Sequence, residues 1–353
     1  MRPSASSNGH RHSGPPLIKA DGIGKIFGRN AEKVVGTPDA DLPRSELRAK
    51  TGCVAAVRDV SFEVYPGEVF VVMGLSGSGK STLVRTLIRL IEPTAGRIEL
   101  DGRDVTAASH DELLQLRRHT SSMVFPHFGL LAHRTVLDNV AFGLEVQGVS
   151  KTERHARARE VLKLVGLEDA ASQFPDELSG GMQQRVGLAR AFAVDPKVML
   201  YDEPFSALDP LIRRDMQDEV IRLQHETGKT MVFITHDLPE ALRLGDRIAI
   251  MRDGRIVQLG TPEDLVGSPA DDYVANFIRD IPRSHVLTLR WIMRPVSADD
   301  SLDAPRVPVT TTVRDIVPRL ASSTQPVLAT EGDEVVGVVD REAVLRAIAG
   351  EGE

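Results

Sequence analysis

The sequence contains a single cysteine, Cys53, in 353 residues. One thiol excludes an intrachain disulfide framework and suits a reducing compartment. Long apolar runs are also missing: no stretch approaches the roughly 18 consecutive apolar residues that a spanning helix needs, so no helical membrane span is expected. Nor is there an excess of positive charge. With 43 Lys and Arg against 50 Asp and Glu, the formal net charge is -7, which argues against a general binder of nucleic acid or anionic membrane, since both want a basic face. Met1 to Pro16 is polar and rich in Ser, Gly, His and Pro. It lacks the apolar core of a secretory signal and is expected to be a disordered tail. His10 and His12 read either as a metal pair or as two histidines in such a tail, and the second is the expectation. What the chain does have is 41% hydrophobic residues, ample for real cores, and a length that predicts two compact domains.

Gly74-Leu75-Ser76-Gly77-Ser78-Gly79-Lys80-Ser81-Thr82 fits the pattern G-x-x-x-x-G-K-[ST]. The apolar run Glu68 to Met73 precedes it and a helical pattern opens at Thr82, so a strand feeds a glycine-rich turn that opens a helix. Glycines let the backbone approach closely and turn its N–H groups inward, where they and the helix N-terminus favour polyphosphate oxygens. Lys80 then reaches the β- and γ-phosphates, and Ser81 offers its hydroxyl to Mg²⁺. Gly74, Ser76, Gly77, Ser78, Gly79, Lys80, Ser81 and Thr82 are the candidate nucleotide-binding residues.

In chain order, Leu17 to Ala20 starts a first strand and Lys25 to Gly28 follows it. Residues 29–51, polar and charged with Pro38 and Pro43, look like an insertion before strand character resumes from Val54 to Val64. Phe27 reads in two ways, as a π face for an adenine ahead of the phosphate loop or as a side chain packed into the sheet. Gly96 to Gly102 reads as strand and turn, Asp111 to Arg118 as a helix, and Met123 to Leu131 as a strand running into a loop. From Lys151 to Val165 the apolar positions Ala158, Val161, Leu162 and Val165 recur at helical spacing, outside the main sheet.

Then come Leu178-Ser179-Gly180-Gly181-Met182-Gln183-Gln184-Arg185, the apolar strand Val198 to Tyr201 ending in Asp202-Glu203, Ser206-Ala207-Leu208-Asp209, and Val232 to Ile234 followed by Thr235-His236-Asp237. Alone, an Asp-Glu after a strand is commonly a solvated strand end, and Thr-His-Asp is commonly a helix cap with a surface imidazole. In this order, with the signature between them, residues 17 to 279 resemble the ATPase subunits of ABC transporters. The resemblance implies an α/β fold: an ABC-type P-loop NTPase domain with a helical subdomain at about 120–195. It also implies ATP and Mg²⁺ as ligands, with Asp202 and Ser81 at the metal, Glu203 as catalytic base, His236 as switch histidine and Lys80 on the phosphates. Leu178, Ser179, Gly180, Gly181 and Gln183 would complete the ATP site of the opposite subunit, and Asp209 would lie in the loop joining the two sites. One departure stands out. The loop after Met123-Val124-Phe125 carries glutamine in this family, and here that place is Pro126, which has no side-chain carbonyl and a fixed φ. Either His127 or water takes over, or hydrolysis is slow and poorly coupled; a working enzyme is the expectation.

Lys25 to Gly28, the insertion, Gly74-Leu75-Ser76, Leu90 to Gly96, Thr135 to Val140 and Asp202 to Arg213 narrow the resemblance to importers of the glycine betaine, proline betaine and choline group. That implies a second ATPase subunit, a transmembrane permease, an extracytoplasmic binding protein reached indirectly, no nucleic acid, and a place on the cytoplasmic face of the cell membrane. Residues 280–353 resemble a single small α/β CBS-like domain. The places where nucleotide-binding versions have Thr or Ser and then Asp hold Asp340 and Ala343, which favours a structural or ionic-strength-sensing role. Two other readings share the motifs: a soluble ABC ATPase, and a nucleotide-gated regulatory protein with weak hydrolysis.

Overall fold

A computed structural model describes residues 14–125, 129–206, 208–297, 300–301, 303–323 and 325–349. The chain forms two units, one of residues up to His236 together with Arg252–Arg255, the other of Asp237–Met251 and the residues from Ile256 onward.

The first unit opens with β1 (Ile18–Phe27), a single ten-residue strand rather than two short ones. It is continuous because register shifts between Ala20 and Ile26 absorb the break that Gly22 and Gly24 suggest in the sequence. The inserted residues are not loop. They form α1 (Ala31–Val34), a 3₁₀ turn at Pro38–Asp41 and α2 (Arg44–Thr51). These bury Val34 and Leu47 against Ile26, Cys53 and Ala55 in a small core of their own. β2 (Val54–Val64) pairs antiparallel with β1.

β3 (Val69–Met73) leads into the phosphate loop and α3 (Lys80–Leu87). β4 (Ala95–Leu100) and β5 (Arg103–Asp104) extend the antiparallel sheet to the order β2-β1-β4-β5. α4 (His110–His119) starts with a Ser109/Glu112 capping box. β6 (Ser121–Val124) joins a parallel sheet, so the helical part of the unit begins only at α5 (Val136–Val146), with α6 (Lys151–Leu164) and α7 (Gly180–Ala193) packed against it. β7 (Val198–Asp202), α8 (Pro210–Thr227) and β8 (Thr230–Thr235) follow.

Within this unit the parallel strands run in the order β3-β8-β7-β6. β3, β7 and β8 are buried along their whole length, as expected of parallel strands covered on both faces. Tyr201 stacks on Phe233 at 4.1 Å between β7 and β8. The register fixes what happens at the sheet's carboxyl edge. Met73 lies opposite Thr235 and Asp202 opposite Ile234, so Gly74, Glu203 and His236 all emerge at the same edge.

The second unit contains α9 (Leu238–Leu244), the neighbouring strands β9 (Arg247–Arg252) and β10 (Arg255–Gly260), α10 (Pro262–Gly267) and α11 (Asp272–Ile278). It continues through α12 (Leu289–Ile292), β11 (Arg306–Pro308), α13 (Val313–Ser322), β12 (Val327–Glu331), β13 (Glu334–Val339) and α14 (Arg341–Ala349). β11 and β12 are parallel, β12 and β13 antiparallel. Val266 of α10 belongs to the same core as Leu287, Val313, Ile316 and Val327, so the sequence boundary expected near Asp280 falls inside this unit. Asp340 caps α14 by accepting the Ala343 N–H at 2.8 Å. No described helix is long and apolar enough to cross a membrane.

Candidate nucleotide site

The phosphate loop is held in shape by Gly79, a glycine that no other residue could replace. Gly79, at φ +108°, is the N-cap of α3. A Cβ there would overlap the carbonyl oxygen of Ala56 and lie 3.2 Å from its carbon, with no flexible side chain to give way. From this turn Lys80 points inward, only 4% exposed, and its Nζ donates to the carbonyls of Gly74 at 2.8 Å and Leu75 at 3.3 Å. Burial pushes the Lys80 pKa down from the ordinary lysine range, and the Glu203 carboxylate works in the opposite direction. The hydroxyl of Ser78 is buried with no hydrogen-bond partner, a donor and acceptor that a ligand in the loop would satisfy.

The Ser81 hydroxyl, one residue into α3, donates to Asp202 Oδ1 at 2.8 Å. Asp202 is 2% exposed at the end of β7. Its other oxygen receives both Nε and Nη2 of Arg85 at 3.0 and 2.8 Å, so two arms of the guanidinium hold one charged oxygen. Glu203 takes a left-handed φ of 48° and anchors its N–H on Ile234 at 3.1 Å. This turns its side chain to the loop, with Oε1 3.7 Å from Lys80 Nζ and Oε2 3.3 Å from His236 Nδ1. His236 is half exposed. The structure thus brings Lys80, Ser81, Asp202, Glu203 and His236 together around the phosphate loop, with a buried cation, a fixed carboxylate and a more accessible second carboxylate.

Other expected residues lie elsewhere. Ser179 is the N-cap of α7 and accepts the Met182 N–H at 3.3 Å. Ser179 and Gly180 are exposed, and Gln183 is tied to the Pro175 and Leu178 carbonyls. Leu178 is buried and Gly181 half-buried. None of these touches the phosphate loop of its own chain among the described hydrogen bonds and ion pairs. Asp209 is the N-cap of α8 with no side-chain capping bond. Phe27 ends β1 with its ring 43% exposed and Lys25 Nζ 5.0 Å from the ring centroid, so it is not packed into the sheet core. Pro126, His127, His10 and His12 lie outside the described residues. Among the described residues no cluster of three His, Cys, Asp or Glu is placed to hold a metal.

Two side chains that support the site were not singled out by the sequence reading. Arg85 orients Asp202; its only signal is its i+4 spacing from Ser81 on α3. Gln184, 1% exposed, donates to the Pro204 carbonyl at 3.3 Å and so ties the signature helix to the Asp202-Glu203 turn.

Residues 57–206 match the family model described as ABC transporter. The glycine betaine transport ATP-binding protein OpuAA of Bacillus subtilis is 54% identical over 296 residues, spanning 84% of this chain and 71% of that protein. The trimethylamine N-oxide transport system ATP-binding protein TmoW of Ruegeria pomeroyi is 47% identical over 343 residues, 95% of this chain and 98% of that one. Among solved structures, the dimeric post-hydrolysis ATP-binding cassette MJ0796 bound to ADP and Pi superposes with a TM-score of 0.58 at 32% identity, covering 69% of this chain and 98% of that chain.

Proposed function

This chain belongs to the ATP-binding subunits of ABC transporters and is an ATPase coupled to transport, and from that premise we propose that it drives import of a quaternary amine or amine oxide osmolyte. The observation that carries the motor chemistry is the meeting of Lys80, Asp202, Glu203 and His236 at one sheet edge. ATP lies with its phosphates in the loop, Lys80 leaving the Gly74 and Leu75 carbonyls for phosphate oxygens. Glu203 orients the attacking water and accepts its proton, and His236 contacts the γ-phosphate. Phe27 offers its exposed ring to the adenine.

Ser81 and Asp202 suit Mg²⁺, being hard oxygen donors 2.8 Å apart on a nearly buried carboxylate. When bound, the ion neutralises charge on the phosphates. The helix start at Ser179-Gly180-Gly181, exposed at its first two residues, serves the ATP of a second subunit, and Asp209 joins the two sites. The pair works on the cytoplasmic face of the membrane under a permease fed by an extracytoplasmic binding protein. Residues 280–353 act as a CBS-like module in a structural or ionic-strength-sensing role, its Asp340 committed to capping α14.

The substrate class rests on relatives named for glycine betaine, carnitine, proline betaine and trimethylamine N-oxide transport. The test is uptake of labelled glycine betaine, carnitine, choline and trimethylamine N-oxide, at low and high osmolarity, in cells lacking this chain. Cells complemented with wild type should regain uptake of at least one, and cells carrying Glu203→Gln should not. Equal uptake in wild-type-complemented and deleted cells for all four would refute the substrate class.

A further inference from the structure

Away from the nucleotide site, a cavity of about 830 Å³ lies between residues 35–41 of the insertion and one face of the antiparallel sheet. Its apolar lining includes Ile26, Val35 and Val57, and its charged lining is Arg58, Arg255, Asp41 and Asp59. None of its lining residues belongs to the phosphate loop or to the Asp202, Glu203 and His236 cluster. Its size is that of a small-molecule site, and its make-up, an apolar floor with a few polar groups at the edge, is of the same kind.

The charge points to the ligand. Arg58 donates Nη1 to the Leu42 carbonyl at 2.8 Å, but its Nε is buried and has no partner. One more arginine lines the cavity, Arg255, which is paired with Asp41. Burial, and then Arg255, push the Arg58 pKa down, with Asp253 and Asp41 opposing. A partly desolvated guanidinium with an open donor, beside an arginine whose charge is already matched by Asp41, favours an anion.

We propose that this cavity binds a small organic anion, its carboxylate or phosphate on Arg58 and its apolar body on Ile26, Val35 and Val57. The site is wired to the phosphate loop. The Arg58 N–H donates to the Gly254 carbonyl at 2.8 Å, and the Gly254 N–H donates to the Ser78 carbonyl at 2.9 Å. The Ala56 carbonyl fills the space a Cβ on Gly79 would need. An occupant that shifts residues 55–58 therefore acts directly on the loop that holds ATP.

The test is saturation-transfer NMR on the full chain with benzoate and phenyl phosphate as anionic probes and benzamide as the neutral control. Each is measured with and without saturating Mg²⁺ and adenylyl imidodiphosphate. Both anions, or one of them, should bind in the presence of the nucleotide analogue and more tightly than benzamide by about tenfold or more; which of the two binds better separates a carboxylate site from a phosphate site. Arg58→Gln should weaken the anion by about tenfold or more. Because that change also removes the bond to Leu42, Ala40→Trp, which fills the cavity and leaves Arg58 in place, should abolish binding in a variant that melts like wild type. Displacement of the probes by the analogue, equal binding of benzamide, or binding unchanged in both variants would overturn the proposal.

Discussion

Arg85→Met removes the guanidinium that brackets a nearly buried carboxylate. Asp202 is 2% exposed and accepts three hydrogen bonds, one from Ser81 at 2.8 Å and two from Arg85 at 3.0 and 2.8 Å. Removing one partner of a buried ion pair costs about 3–5 kcal/mol because the remaining charge is left uncompensated. Arg85 is itself 39% exposed, so water reaches the vacated side and the expected loss is about 2–3 kcal/mol. At about 2–4 °C per kcal/mol for a unit of this size, that is a fall in Tm of about 4–12 °C.

A double-mutant cycle with Asp202→Asn isolates the pair. The neutral amide has no charge to leave stranded, so Arg85→Met in that background should cost little, giving a coupling of about 2 kcal/mol. Arg85→Lys restores the charge but not the planar fork and should recover less than half of the loss. Urea unfolding of the five proteins is the assay. Arg85→Met within about 0.5 kcal/mol of wild type, or strict additivity with Asp202→Asn, would refute the reasoning.

Gly79→Ala should remove Mg-ATP binding, because its Cβ overlaps the Ala56 backbone. Gly77→Ala carries the strain of a left-handed φ of 81° but meets only the end of the Arg44 side chain, so it should lower apo stability less, with Tm of the two variants deciding. Lys80 supplies a pH signature in the nucleotide-free protein. Its folded pKa lies below its unfolded value of 10.5, so between the two the unfolded chain binds more protons and stability rises with pH. The cost of the buried charge is full below that window. The stability of wild type relative to Lys80→Met should therefore climb as pH approaches 10.5, and a flat difference in pH-dependent urea melts would count against the burial argument. Ser179→Ala loses one helix cap and should cost about 1 kcal/mol. If the same hydroxyl serves the partner's ATP, hydrolysis falls well beyond what that stability loss explains, and a rate near wild type at full folding would leave Ser179 as a cap alone.

The clustering of side chains at the sheet edge was legible in the sequence because each part is a short motif at the end of an apolar strand. Gly74 to Ser81, Asp202-Glu203 and His236 needed only strand identity, and the parallel register brought them together. Arg85 and Gln184 were not legible, because their partners lie 117 and 20 residues away and only tertiary packing makes the pairs. The insertion was recognisable as an interruption, yet its helices were not. α1 has only four residues and α2 eight, too short for a periodic signal, and they are held by Leu47 and Val34 against Ile26 and Ala55 rather than by propensity. The same limit hid the place of Val266, which follows Gly260-Thr261-Pro262 in sequence but packs with Leu287 and Val313.

The most direct test of the account is ATP binding and hydrolysis by the purified chain, wild type against Glu203→Gln. Labelled ATP binding, phosphate release and light scattering are measured on the same samples. The account predicts that both bind Mg-ATP, that Glu203→Gln hydrolyses it at least about 100-fold more slowly, and that this variant accumulates as a dimer with ATP. Hydrolysis at the wild-type rate by Glu203→Gln would contradict the assignment of the base and, with it, the motor chemistry proposed for this edge of the sheet.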